Sequence, residues 1–206
     1  MTAGRGIFVT IEGIEGAGKS TLAKALRERL SSLGFDVLVT REPGGTSFGD
    51  VIRKLLLESK DMSDRAELLL FEAARAQHVD EVIKPGLRGG GIVICDRYTD
   101  SSIAYQSCAR GIDFDIVDRL NQFATDNVEP DVTILLDLAA EIGLRRQEKL
   151  DRISAQDISF HESVRRGYLK LAEANPNRFV IIDATESFED VLCKTSEIVL
   201  AKAKVQ

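Results

Sequence analysis

The chain has 206 residues, 44% of them hydrophobic and 29% charged, with a formal net charge of −6. That length accommodates one domain with a substantial core, and the acidic balance argues against a surface that coats nucleic acid. No apolar run approaches the roughly 20 residues needed to cross a bilayer and the N-terminus has too few apolar residues for a signal peptide, so a cytoplasmic address without a membrane partner is expected.

In chain order, the first strand is expected at Ile7–Ile11 and runs into IEGIEGAGKST. Gly13-x-x-x-x-Gly18-Lys19-Ser20 matches the phosphate-loop pattern without a mismatch, between a strand and a helix expected over 20–33. Its glycines let backbone N–H groups turn inward on phosphates, and the helix N-terminus adds positive potential. Gly13, Ile14, Glu15, Gly16, Ala17, Gly18, Lys19, Ser20 and Thr21 would surround ATP. Lys19 would reach the β- and γ-phosphates, and Ser20 would ligate Mg²⁺. A second strand, Val37–Val39, leads to REPGGT, where Pro43 and two glycines make a tight turn. Helices follow at 48–59 and 64–84.

The third strand, Ile92–Cys95, ends at Asp96, placed to hold the Mg²⁺ through water, and continues as DRYTDSS. A helical stretch over 100–126, broken near Gly111, precedes the strand Val132–Leu136. Helices at 139–147, 158–174 and 188–203 and a strand at Phe179–Ile182 complete the chain. Gly34, Gly86 and Gly89–Gly91 are expected to mark helix ends and turns. The strands show no apolar/polar alternation and read as buried on both faces. Strand and helix in alternation predict a three-layer α/β sandwich, a five-stranded parallel sheet flanked by helices, and the phosphate loop makes it a P-loop fold. One domain, residues 1–206, is expected, with ligands beyond the carboxyl ends of its strands. The cysteines (Cys95, Cys108, Cys193) are odd in number and lack metal-site spacing, so buried thiols are expected.

Arginine and histidine usage narrows the chemistry. Arg41 and Arg97 follow strands, Arg75 lies on a helix, and Arg145, Arg146, Lys149 and Arg152 form a basic stretch, all suited to phosphate. The two histidines, His78 and His161, fall in helical stretches, not where a base for an alcohol is expected. A phosphate monoester needs no base, because its second pKa of about 6 leaves it mostly dianionic at neutral pH. No N-K-x-D-type guanine reader is present. Were the acceptor a nucleoside instead, Glu12 or Glu42 would have to act as base.

IEGIEGAGKST, TREPGGT, LLLFEAARAQH, DRYTDSSIAYQ and PDVTILLDL, in that order, resemble the bacterial thymidylate kinases from about Ile7 to Ala184. The resemblance implies a fold of the P-loop nucleoside monophosphate kinase type, Mg²⁺-dependent transfer from ATP to dTMP, no nucleic-acid partner, and a homodimer packed through helices; the stretch 64–84 is rich enough in Leu and Ala to serve. It implies that Glu15 accepts a bond from the deoxyribose 3′-hydroxyl, that Phe71 stacks on thymine and that Arg75 donates to a base carbonyl. Arg97 would clamp the monophosphate, with Arg41 as a second clamp and Pro43 in the wall. Ser102 and Gln106 would line the base and sugar pocket, and Tyr105 would crowd a 2′-hydroxyl. The stretch 143–152 would belong to a mobile lid over about 143–157, closing Arg145, Arg146, Lys149 or Arg152 over the ATP phosphates. This lid is shorter than expected and less arginine-rich, with Lys149 and Leu150 where Arg and a small residue are commoner.

Overall fold

The structure is a computed structural model and describes residues 5–59, 61–147 and 151–204. Five parallel strands, β1 (Ile7–Glu12), β2 (Val37–Arg41), β3 (Ile92–Asp96), β4 (Val132–Asp137) and β5 (Phe179–Asp183), lie in the order β2-β3-β1-β4-β5. Each expected strand is found, one or two residues longer at its carboxyl end. Alternate β1 residues feed the two helix layers. Val9 and Ile11 pack with Leu22 and Leu26 on one face, and Phe8 packs with Val79, Ile83 and Tyr98 on the other. Burial on both faces holds for β1, β3 and almost all of β4. It fails at the sheet edges, where Leu38 of β2 and Ile181 of β5 are exposed, because an edge strand has fewer covering neighbours.

The helices are α1 (Lys19–Ser32), α2 (Ser47–Glu58), α3 (Asp64–His78), α4 (Lys84–Arg88), α5 (Thr99–Ser102), α6 (Phe114–Thr125), α7 (Ala140–Arg145), α8 (Ile158–Ala174) and α9 (Phe188–Ala203). The expected helix 64–84 runs on into α4 through a π-helical segment, Val79–Ile83. A widened turn lets the path continue past Pro85, which has no N–H to donate. Gly86 therefore lies inside α4 rather than at its end. A Cβ there would sit 2.8 Å from a Val93 methyl, so the glycine lets the helix approach β3. A second π segment, Ile103–Ala109, joins α5 to the break at Gly111. Only Cys95 of the three thiols is buried; Cys108 is exposed and Cys193 half-buried, the first on the sheet and the others on helix surfaces.

The parallel register puts Arg41, Asp96 and Ile11 side by side at the carboxyl ends of β2, β3 and β1. Helices α2, α3, α6, α8 and α9 are each capped by a Ser, Thr or Asp side chain. Helix α1 begins after Gly18 in the left-handed region and has no side-chain cap. Its first N–H groups find no side-chain cap among the described residues at that edge of the sheet.

Candidate active site

Lys19, at the start of α1, folds its amine back to the carbonyls of Gly13 (3.1 Å) and Ile14 (2.8 Å). Burial, with Arg97 beside it, pulls the ammonium down from 10.5 to about 8. The Ser20 hydroxyl donates to an Asp96 carboxylate oxygen. Hydroxyl and carboxylate together form the hard oxygen set that Mg²⁺ takes. Ile14 and Ala17 are buried, while Ser20 and Thr21 are exposed. Gly16 meets α7 backbone to backbone: a Cβ on it would sit 2.0 Å from the Gly143 carbonyl, and one on Gly143 would sit 2.3 Å from that of Glu15.

Glu15 does not face open solvent. The Tyr105 hydroxyl reaches both carboxylate oxygens (2.6 and 2.7 Å), and Arg97 Nη2 donates to Oε1 at 2.9 Å. Burial opposes the charge, but Arg97, His161, Lys19 and Tyr105 outweigh it and hold the carboxyl well below the ordinary range. Arg97 has φ of 72°, rare for a residue with a Cβ. Its Nη1 donates to the Gly13 carbonyl (3.0 Å), the Tyr168 hydroxyl (3.1 Å) and Ser101 Oγ (3.3 Å). Its guanidinium lies 5.0 Å from the Tyr105 ring centre. Beneath them Glu12, fully buried, accepts from Tyr98 N–H, Ser101 and Tyr168. Burial and the nearby Asp100 push it from 4.5 up to about 7, against the pull of Arg97.

Glu15, Lys19, Ser20, Asp96, Arg97 and Ser101 line a cleft of about 290 Å³, into which the structure also brings Arg41, Pro43, Phe71, Ser102, Tyr105 and Gln106. Arg41 is exposed and 3.8 Å from Asp50. Ser102 donates to Glu72 (3.0 Å) and Gln106 to Glu67 (2.9 Å). Arg75, expected to meet the base, does not line the cleft: it is 1% exposed, and each of its three guanidinium nitrogens bonds protein. It donates to Glu42 (2.7 Å), Glu72 (2.6 Å), Ser102 (2.9 Å), Asn121 (2.7 Å) and the Tyr98 carbonyl (3.1 Å). Glu42 also receives His78 Nδ1 at 2.9 Å. Glu12 and Glu42 are thus both bound and buried, unlike a base waiting for a hydroxyl.

The basic stretch divides. Arg146 Nη1 lies 3.5 Å from the Gly16 carbonyl and 3.3 Å from that of Ala184. Arg145 is exposed at the end of α7. Arg152 does not reach the phosphate loop: it lies 2.6 Å from buried Glu67 and donates to the Leu56 carbonyl at 2.8 Å. The expected role of Lys149 lies outside the described residues.

Two features escaped sequence reasoning. Arg53 of α2 lines the main cleft and donates to the Pro43 carbonyl at 3.0 Å; inside an amphipathic helix it reads as a solvated charge. A second cavity of about 260 Å³ behind the phosphate loop is lined by Gly18, Leu22, Arg146, Ala184 and Phe188. The strand-end rule, applied after β5, points to that segment.

A family profile described as "Thymidylate kinase" matches residues 11–194. Among similar curated proteins, the thymidylate kinase of Geotalea daltonii is 45% identical over 96% of this chain and 98% of its own length. That of Desulfovibrio desulfuricans is 48% identical over 90% of this chain and 91% of its own. The crystal structure of thymidylate kinase from Ehrlichia chaffeensis superposes with a TM-score of 0.81 at 34% identity, covering 95% of this chain and 99% of that one.

Proposed function

The chain belongs to the thymidylate kinase family, and from that premise we propose that it transfers the γ-phosphoryl group of ATP to dTMP, giving dTDP and ADP by in-line displacement. One observation carries the reading: Lys19 and Ser20 of the phosphate loop share a single cleft with Arg41, Arg53 and Arg97. Cations that gather two polyanions supply orientation and charge stabilisation, which is most of what phosphoryl transfer asks of a protein.

In this reading the N–H groups at the start of α1 cradle the ATP phosphates, and Lys19 swings from its two carbonyls to the β- and γ-phosphates. Arg97, with Arg41 and Arg53, holds the dTMP phosphate as the nucleophile. That group is largely dianionic at neutral pH, so no side chain need remove a proton. Both histidines are accordingly buried among carboxylates rather than presented to the cleft. Glu15 accepts the sugar hydroxyl, Phe71 stacks on the base, and Tyr105 fills the space a 2′-hydroxyl would need. Ser102 and Gln106 complete the pocket. Nη2 of Arg75 keeps one N–H beyond that bonded to the Tyr98 carbonyl, and direct donation to a thymine carbonyl requires the buried side chain to move toward the cleft.

Ser20 and Asp96 would hold Mg²⁺, which when bound neutralises charge on the transferring phosphates. The lid over 143–157 closes on the ATP phosphates through Arg146, the member of the basic stretch already touching the loop. The adenine end of ATP fits the cavity beside Ala184 and Phe188. Exposed apolar residues Phe48, Val51 and Leu55, along one side of α2, support a homodimer.

The test is ADP release from ATP and Mg²⁺ with dTMP, dUMP, UMP and thymidine as acceptors. Turnover strongest with dTMP and negligible with thymidine is expected. Turnover with thymidine alone would replace the reading with a nucleoside kinase, and hydrolysis indifferent to acceptor would remove the acceptor site.

A further inference from the structure

His161, in the first turn of α8, is completely buried, and neither of its ring nitrogens has a hydrogen-bond partner among the described residues in this conformation. A buried polar group left unpaired loses the hydrogen bonds it made to water, so a partner available in another state is called for. The nearest candidate is in view: Nδ1 lies 3.2 Å from Oε2 of Glu15, the carboxylate oxygen that Arg97 does not hold. The ring is fixed from the side by Phe160, edge-on at 5.5 Å. Phe160 itself packs on Tyr105 at 6.1 Å, the other donor to Glu15.

We propose that His161 is a positioning residue for acceptor recognition: its Nδ1–H turns Glu15 so that the carboxylate presents its one remaining acceptor position to the 3′-hydroxyl of the deoxyribose. The inference rests on the reading of Glu15 as the sugar's partner. A carboxylate offers about four lone-pair sites and no donor. Arg97, Tyr105 and His161 are three protein donors from three parts of the chain, which leaves one site for substrate. Because Glu15 only accepts, the proton must sit on Nδ1.

The test compares kcat/KM for dTMP and its 3′-deoxy analogue in the wild type, H161F and H161N, with thermal unfolding of each. The wild type is expected to prefer dTMP. H161F should lose roughly tenfold of that preference, chiefly through KM for dTMP, with the 3′-deoxy analogue within about twofold of wild type. H161N, whose amide N–H can stand in for Nδ1–H, should recover most of the preference. Unchanged discrimination in H161F, or an equal loss on both substrates, would overturn the proposal and leave His161 a packing residue. A wild type indifferent to the 3′-hydroxyl would instead remove the reading of Glu15. Nitrogen-15 spectra of the wild type in the presence of dTMP supply a check free of folding effects, and a proton on Nε2 alone would sink the idea.

Discussion

Lys19 and Glu12 are both fully buried chargeable groups, shifted in opposite directions. Lys19 in the free protein titrates near 8, yet it must be protonated to meet a polyphosphate. Above that pH, binding has to take up a proton, so ATP affinity is expected to fall by up to tenfold per pH unit between about 8 and 10. Calorimetric titration in buffers of different ionisation enthalpy would show the uptake, and a flat affinity over that window would contradict it. Glu12 is an acid with a folded pKa of about 7, above its ordinary 4.5, so the folded chain binds more protons than the unfolded one between those values. Its stabilising contribution is complete below pH 4.5 and is lost as pH rises through 7. Glu12→Gln removes the buried charge. It should raise stability by on the order of 2 kcal/mol at pH 8 and much less at pH 5, read by urea unfolding at both. Because Ser101 and Tyr168 bridge Glu12 to Arg97, the same variant should raise KM for dTMP.

Element boundaries and partner choices were not equally legible. The phosphate loop reads directly from sequence because its function is local: five consecutive positions, Gly16 to Ser20, contain two glycines, the amine and the hydroxyl. The ends of β1, β2 and β3 likewise predicted where Lys19, Arg41 and Asp96 meet. Arg75 was harder. Its i, i+4 spacing from Phe71 places both on one helix, but only the packing of β2, α5 and α6 against α3 brings Glu42, Ser102 and Asn121 around its guanidinium. The basic stretch divides for a similar reason. Arg146 ends α7 against the phosphate loop, whereas Arg152 comes after the segment 148–150 and meets α2 and α3. Arg146→Ala should therefore lower kcat roughly tenfold or more with little change in stability. Arg152→Ala should instead cost about 1–3 kcal/mol of stability, because buried Glu67 loses one of its two arginine partners, and leave kcat nearly intact. Steady-state rates and thermal unfolding on the two variants separate these outcomes.

The whole molecule follows from one decision, the order β2-β3-β1-β4-β5, which sets three strand ends around one cleft. That order was not legible from the strand list, since periodicity marks strands without pairing them. The outer face of α2 adds an assembly-level expectation. The wild type should sediment near twice 22.6 kDa, and replacing Val51 and Leu55 together by Lys should shift it to the single-chain mass; an unchanged mass would move the interface elsewhere. The buried cluster of Arg75, Glu42, Glu72 and His78 has a consequence for evolution under drug pressure. It lies beneath the cleft that Glu42 and Ser102 line and joins α3, β2, α5 and α6. A variant that escapes an inhibitor by altering that cluster strands a buried charge and weakens the fold. Resistance should therefore accumulate at the half-buried wall, at Leu57 rather than at the base-stacking Phe71, where a lineage can change shape without unfolding.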